Sequence, residues 1–599
     1  MKLVLKILGG LLAAVVALGV VAFVNVWYFK PFSIDIFFER AFLKVVLDDP
    51  ELLSQLRILE PMGITGHNDD LTESSPARQE RLAQWTRDNV ETLHSYDRAS
   101  LDETDAMSYD ILDWFLKNAV DGQRWMYHNY PVNQSFGVQN SLPTFMISVH
   151  QITSAKTARD YVARLEKFPW KFGHVLDGLK LRESKGVTPP KFTVVKVLDG
   201  MKKFIEPAPK DHVLYTNLRD KLDKLGDVPA DEKAAVLASA EKAVADAVYP
   251  AYRDLIAYFE HLDTVVKESN GVWALPDGDE YYAWCVKNHT TLPLSPEEVH
   301  QTGLAEVARL EAEIDAILRA QGLTEGSVGA RMNQLALEPS QLYEDSDAGR
   351  EAAIADYVRI IDEISAGMDQ AFDLKPAVGV DVKRIEPFRE KTAPGAHYNS
   401  APLDKSRKAI FYINLRDMRE VFKWGMRTLA YHEAVPGHHF QIAIAQDVKG
   451  VPTFRNLSLF TVYSEGWALY SERLAWELGY QDNPLDNLGR LQAEMFRAVR
   501  LVVDTGLHHQ RWTREQAIEY FFEKTGQPDT DVVAEIERYL VAPGQALAYK
   551  TGMMRILELR ERMKQQQGEK FDLKEFHNRV LGAGPMPLPV LEQRVLGNP

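Results

Sequence analysis

Tyr431-His432-Glu433-Ala434-Val435-Pro436-Gly437-His438-His439-Phe440-Gln441 gathers a carboxylate and three imidazoles into one short run of chain. Two histidines one turn apart on a helix can bind one metal ion, and a glutamate beside the first can take a proton from an attacking water. That is the logic of the HExxH zinc motif. Here the spacing is stretched, because the next imidazoles after His432 stand six and seven positions on. On an unbroken helix His438 would be turned well away from His432, and His439 would align with it but lie roughly 10 Å along the axis. Neither placement suits one ion. Proline lacks a backbone N–H and glycine tolerates unusual dihedrals, so Pro436-Gly437 predicts a bulge that absorbs the extra residues and returns a histidine to the metal. His438 needs the smaller distortion and is preferred to His439 as second ligand. The bland reading is a polar helix break with surface histidines, against which stand the apolar Leu429-Ala430 and the segments downstream.

A third ligand is expected from a second helix. In Thr461-Val462-Tyr463-Ser464-Glu465-Gly466-Trp467-Ala468-Leu469-Tyr470-Ser471-Glu472 the two glutamates are seven apart, on one helical face, with apolar residues around them. A carboxylate from this helix would complete a two-histidine, one-glutamate set and leave a fourth position open, as a catalytic zinc requires. The Glu-Gly-aromatic-Ala run with its second Glu resembles the helix that carries the third ligand in gluzincin metallopeptidases. The resemblance implies Glu465 as the ligand and Glu472 as a residue that orients one. For Glu472 a surface ion pair with an arginine is the competing reading.

A longer resemblance joins these segments. His432 to Gln441, Ser464 to Tyr470, Val503-Asp504-Thr505-Gly506-Leu507-His508 with Trp512 to Ala517, and Pro543-Gly544-Gln545-Ala546-Leu547-Ala548-Tyr549-Lys550 resemble the bacterial proteins catalogued as domain of unknown function 885. Gly271 to Gly278 and Ser295 to His300 fit as well, so the resemblance spans nearly everything after the N-terminus. It implies a mainly α, multi-helix, zincin-like metallopeptidase fold in an envelope-associated protein, without supplying a substrate.

Composition sets bounds. With 599 residues, 45% of them hydrophobic, there is chain enough for a large core and several domains. A net charge of −16 argues against nucleic acid or anionic lipid as the main partner. Cys285 is the only cysteine, which rules out an intrachain disulfide and a cysteine metal site. Between Lys6 and Lys30 the chain is uncharged and apolar, long enough to cross a bilayer as a helix. Lys2 and Lys6 favour a cytoplasmic N-terminus, and Trp27-Tyr28 suits the far interface. An uncleaved anchor is preferred to a signal peptide cut near Ala22, and with no cysteine nearby a lipoprotein is excluded.

The expected organisation is an anchor over residues 1–30, a helical region over 31–290 and a metal-binding region over 291–599. Helical spacing runs through Ala155 to Phe168 and Asp231 to Tyr258, and Ser295-Pro296-Glu297-Glu298 reads as a capped helix start. Short β-prone runs at Val378-Gly379-Val380, Arg384-Ile385-Glu386 and Ala409 to Leu415 predict a small sheet just before the metal helix. An extended peptide can add to a strand edge, and Phe411 to Leu415 is the candidate edge, with a core strand as the alternative.

His508 and Tyr549 are candidate donors to the oxyanion formed in amide hydrolysis, each with a packed core role as its alternative. Arg500, one turn from Asp504, could bind a substrate carboxylate but is expected to pair with that Asp. The leading expectation is a membrane-anchored, periplasm-facing zinc hydrolase of peptide or related amide bonds. His432, His438 and Glu465 would hold zinc, and Glu433 would be the general base. The alternative is a non-catalytic helical envelope protein that keeps a structural metal and binds a peptide or protein partner; Glu433 beside His432 argues against it, since a structural site needs no base.

Overall fold

The computed structural model describes residues 2–385, 390, 394–401, 405 and 407–597. It is mainly helical, with one three-stranded sheet. The chain divides into two compact units, Met1–Glu268 with Pro452–Phe454, and Ser269–Val451 with Arg455–Pro599.

In the first unit, α1 (Lys2–Tyr28) contains an apolar run from Lys6 to Tyr28 that is long enough to span a membrane and is unburied. Its end is tied to α2 (Ile34–Leu47) by Arg40, whose Nη1 donates to Val26 O at 3.1 Å. The two expected helical patterns appear with breaks that the sequence explains. α3 (Ala155–Glu166) starts on a Ser154–Thr157 capping box and hands over at Lys167 to α4 (Phe168–Ser184). α5 (Ala230–Ala243) passes through a π-helical turn at Val244–Val248 into α6 (Tyr249–Val265), where Pro250 cannot donate to the ladder. Pro452–Phe454 joins this unit through Phe454, edge-on to Phe38 at 5.8 Å, and Thr453 N, which donates to Glu39 at 2.8 Å.

The second unit begins earlier than position 291. α7 (Gly278–Thr290) and the turn before it are bound to α13 (Pro484–His508): Val272 N donates to His508 Nδ1 at 3.0 Å, and Tyr282 OH to Asp504 at 2.5 Å. The boundary follows these bonds, between non-adjacent stretches of chain that no local pattern signals. α8 (Pro296–Ala320) opens on a capping box, with Ser295 N donating to Glu298 at 2.8 Å, and lies along α13. A buried ion cluster locks these helices to α15 (Ala548–Gln567). Glu494 Oε1 is 2.6 Å from both Lys550 and Arg309, and its Oε2 is 2.9 Å from Arg490. Removing one partner of such a cluster leaves an uncompensated buried charge and costs about 3–5 kcal/mol.

The sheet has order β1 (Val380–Arg384), β3 (Ala409–Ile413), β2 (Ala396–Asn399), with β3 parallel to β1 and antiparallel to β2. This corrects the candidate edge: Phe411 lies on the central strand, because the nearly continuous apolar run of β3 is buried on both faces. β2, which no β-prone run announces, is an edge strand. Glu386 lies outside the described residues. α9 (Asp347–Gly367) covers the sheet, with Tyr357 edge-on to Phe411 at 5.4 Å.

Candidate metal centre

α10 (Met426–Glu433) stops at the second residue of the motif, and α11 (His438–Asp447) starts at the first of the two adjacent histidines. The expected bulge is therefore a full break. Ala434 leaves helical geometry, Val435–Pro436 is cis, and the turn closes back over the end of α10. Gly437 is required there, since a Cβ would stand 1.9 Å from His432 O. Phe440 N donates to Ala434 O at 3.3 Å across the turn.

α12 (Thr461–Glu477) holds this turn from the side. The buried Trp467 donates from Nε1 to Pro436 O at 2.8 Å, and Ser471 Oγ donates to Tyr431 O at 3.1 Å. One helical face thus carries both glutamates to the motif. Glu465 Oε2 lies 3.3 Å from His438 Nε2 and 3.6 Å from His432 Nε2, and Glu472 Oε1 lies 2.7 Å from His432 Nδ1. The two imidazoles meet edge to face, with centroids 4.8 Å apart.

These atoms form a donor set. One ligand atom from each of His432, His438 and Glu465 lies within 4.8 Å of the other two. Glu465 Oε2 is buried without a well-formed hydrogen bond, as an oxygen reserved for a cation would be. Glu472 fixes the His432 tautomer by accepting from Nδ1, which leaves Nε2 free to ligate. Burial opposes a charged His432, but the Glu465 and Glu472 carboxylates outweigh this and push its pKa up to about 9. Two imidazole nitrogens and one carboxylate oxygen are a donor set that fits zinc. Glu433 is buried beside His432 and close enough to the Tyr357 phenol to raise its pKa along with burial.

The remaining sequence candidates separate. His439 turns away: its Nδ1 meets Tyr398 OH of β2 at 3.2 Å, and burial pushes its imidazole down to about 4. Tyr549 stands near the cluster, because Gly466 and Gly552 bring the α12 and α15 backbones together; a Cβ on Gly552 would lie 2.1 Å from Val462 O. Burial first, then the Glu465 charge, raises the Tyr549 phenol pKa, so it stays protonated. His508 is corrected. Its Nδ1 accepts from Val272 N and its Nε2 donates to Tyr539 O at 3.0 Å, so no proton remains for an oxyanion. The expected Arg500–Asp504 pair is corrected: Arg500 pairs with Glu535 at 2.9 Å and Tyr539 OH at 2.9 Å, while Asp504 accepts from Tyr282 and Gly544 N. The residue that sequence reasoning passed over is Arg497, whose charge acts on His432; it sits one turn before Arg500 on α13 and no motif marks it.

The family model described as "Bacterial protein of unknown function (DUF885)" matches residues 59–595. A search of curated proteins gives no match. Among solved structures, the chain is similar to the "putative lipoprotein from Colwellia psychrerythraea" at 37% identity and a TM-score of 0.90, over 94% of this chain and 98% of that one. It shares its fold with a "putative lipoprotein of unknown function from Shewanella oneidensis", at 18% identity and a TM-score of 0.73, over 94% of this chain and 100% of that one. Its likeness to "PZ PEPTIDASE A with inhibitor 2", at 12% identity and a TM-score of 0.28 over 88% of this chain and 95% of that one, carries no argument. With the family model covering most of the chain and an extensive relative above 30% identity, the chain belongs to the DUF885 family of bacterial proteins.

Proposed function

We propose that this chain is a zinc-dependent hydrolase of peptide or related amide bonds, with a zincin-like catalytic region, anchored in the cytoplasmic membrane and facing the periplasm. The observation that carries the reading is the convergence of His432, His438 and Glu465 beside the buried Glu433. Zinc, when bound, supplies a Lewis acid that polarises the scissile carbonyl and acidifies water. Glu433 takes a proton from the attacking water on a carboxylate oxygen and passes it to the leaving amine nitrogen. Tyr549, protonated at neutral pH, donates a hydrogen bond to the carbonyl oxygen as charge builds there. Glu472 keeps His432 oriented. An extended substrate can pair along β2, the edge strand joined to the motif through Tyr398 and His439.

The envelope assignment draws on α1 and on two solved relatives described as lipoproteins. This chain's one cysteine, Cys285, is buried in the second unit, so α1 takes the place of a lipid anchor. The test is metal analysis of the detergent-solubilised full chain together with a peptide-library cleavage assay. Close to one zinc per chain is expected, lost in His432→Ala and in Glu465→Ala. Glu433→Gln should keep the metal and lose about 10² to 10⁴ in hydrolysis. Full zinc retention in both alanine variants, or undiminished turnover in Glu433→Gln, would defeat the reading.

A further inference from the structure

Three arginines on the helices beside the metal cluster share a single paired carboxylate among the described residues. Arg497 and Arg500 lie one turn apart on α13, which packs against both α10 and α12. α14 (Asp529–Val541) adds Arg538. Glu535 is the one carboxylate paired with any of the three among the described residues, at 2.9 Å from Arg500 and 2.9 Å from Arg538. Arg497 has none; its Nη1 donates only to Ala493 O, 3.3 Å away on its own helix.

Two guanidinium donors here are buried without acceptors among the described residues, Arg497 Nε and Arg500 Nη1. Buried donors are almost always satisfied, and orphans near a reactive centre call for a missing partner. Arg500 is only 6% exposed and is fixed by rings, its Cζ standing 4.3 Å from the Tyr549 centroid and 4.5 Å from that of Phe496. Tyr549 is one turn before Gly552, where α15 meets α12 beside Glu465. The guanidiniums therefore border the zinc ligands through Tyr549 on one side and His432 on the other. Arg500 Nε and Nη2 are taken by Tyr539 and Glu535, so the free donors are Arg500 Nη1 and Arg497 Nε, one for each oxygen of a carboxylate.

Resting on the hydrolase reading, we propose that Arg497 and Arg500 bind the C-terminal carboxylate of a short peptide, making the enzyme a carboxypeptidase-type hydrolase. The terminal carboxylate is an anion that every unmodified linear peptide carries, and fixing it near the ligands selects an amide bond close to the C-terminus. Hydrolysis then breaks that C–N bond, leaves the water oxygen in a new carboxylate and sends a proton to the released amine.

The test uses the full-length Glu433→Gln variant in detergent, loaded with zinc, and calorimetric binding of three peptides: acetyl-tetraalanine as the free acid, the same peptide as its amide, and acetyl-trialanyl-glutamate amide. The free acid should bind at least about ten-fold more tightly than either amide, as loss of a charge-assisted contact predicts. Arg497→Gln should abolish that preference with zinc content unchanged, and Arg500→Lys, which keeps the charge beside Glu535 but not the Nη1 donor, should reduce it. Equal binding of acid and amide, binding of none of the peptides, or preference for the glutamate amide would overturn the proposal. An acid preference with no Glu433-dependent cleavage by the zinc-loaded wild type keeps the carboxylate site and removes the hydrolase; Glu433-dependent cleavage of acid and amide alike does the reverse.

Discussion

His432 is gripped on both ring nitrogens, and the two grips differ in kind. Nε2 faces Glu465 and His438 across space that suits a cation, whereas Nδ1 donates to Glu472, a residue only 1% exposed. Carboxylate support of this sort sets tautomer and basicity, so Glu472→Ala should weaken zinc binding about 10- to 100-fold without touching a ligand. Competition with a chromophoric chelator measures it, and wild-type affinity in the variant would deny Glu472 its orienting role. Asp504 poses a different case. Burial pushes its carboxyl up to about 7, against the hydrogen bonds from Tyr282 and Gly544. A folded pKa above the unfolded value of about 3.9 stabilises the fold below roughly pH 4, and that stabilisation is lost as pH rises through 7. Between pH 5 and 9 the wild type should therefore lose on the order of 2–3 kcal/mol that Asp504→Asn does not, read from denaturant unfolding of both proteins. Parallel pH curves would contradict it. The sequence singled out His508 as a chemical residue and paired Arg500 with Asp504 because it displays side chains and hides their partners. The Val272 amide and Tyr539 carbonyl that occupy His508 are 236 and 31 positions away, and Glu535 is 35 from Arg500.

Among the elements, α12 was the most legible. Its period puts Glu465, Ala468 and Glu472 on one face, and side-chain spacing along a helix needs no tertiary information. The link between α10 and α11 was legible only in part: Pro436-Gly437 signals an interruption, but whether it becomes a bulge or a complete turn depends on Trp467 and Ser471 capping it from another helix. β2 was missed because four residues, Ala-His-Tyr-Asn, carry too little alternation to announce a strand. The crossing of α12 with α15 depends on glycines. A Cβ at Gly552 meets Val462 O at 2.1 Å, a backbone atom that cannot move aside alone. Gly552→Ala should thus force the helices apart, cost about 1–3 kcal/mol as overpacking does, and lower zinc affinity by displacing Glu465. Thermal unfolding with metal titration checks both effects, and an unchanged melting temperature would show that the crossing tolerates a methyl group.

At the scale of the whole molecule, the acidic balance and the single apolar helix point the same way. A chain of net charge −16 gains nothing from an anionic membrane surface, so the proposed attachment falls to α1, which is unburied over its apolar window and whose end Arg40 holds against α2. On the proposed topology, Lys2 and Lys6 before the apolar run, with Trp27 and Tyr28 at its far end, would hold the N-terminus of α1 in the cytoplasm and put the chain after α1 outside. Fractionation with protease treatment of spheroplasts reads this directly. The full-length chain should remain with the membrane and be digested from outside. A product shortened near Ala22 and free in the periplasm would mean that the segment is a cleaved signal. A chain in the membrane fraction that resists external protease would place the metal cluster on the cytoplasmic side and overturn the assignment, since the same two lysines would then have failed to hold the N-terminus inside.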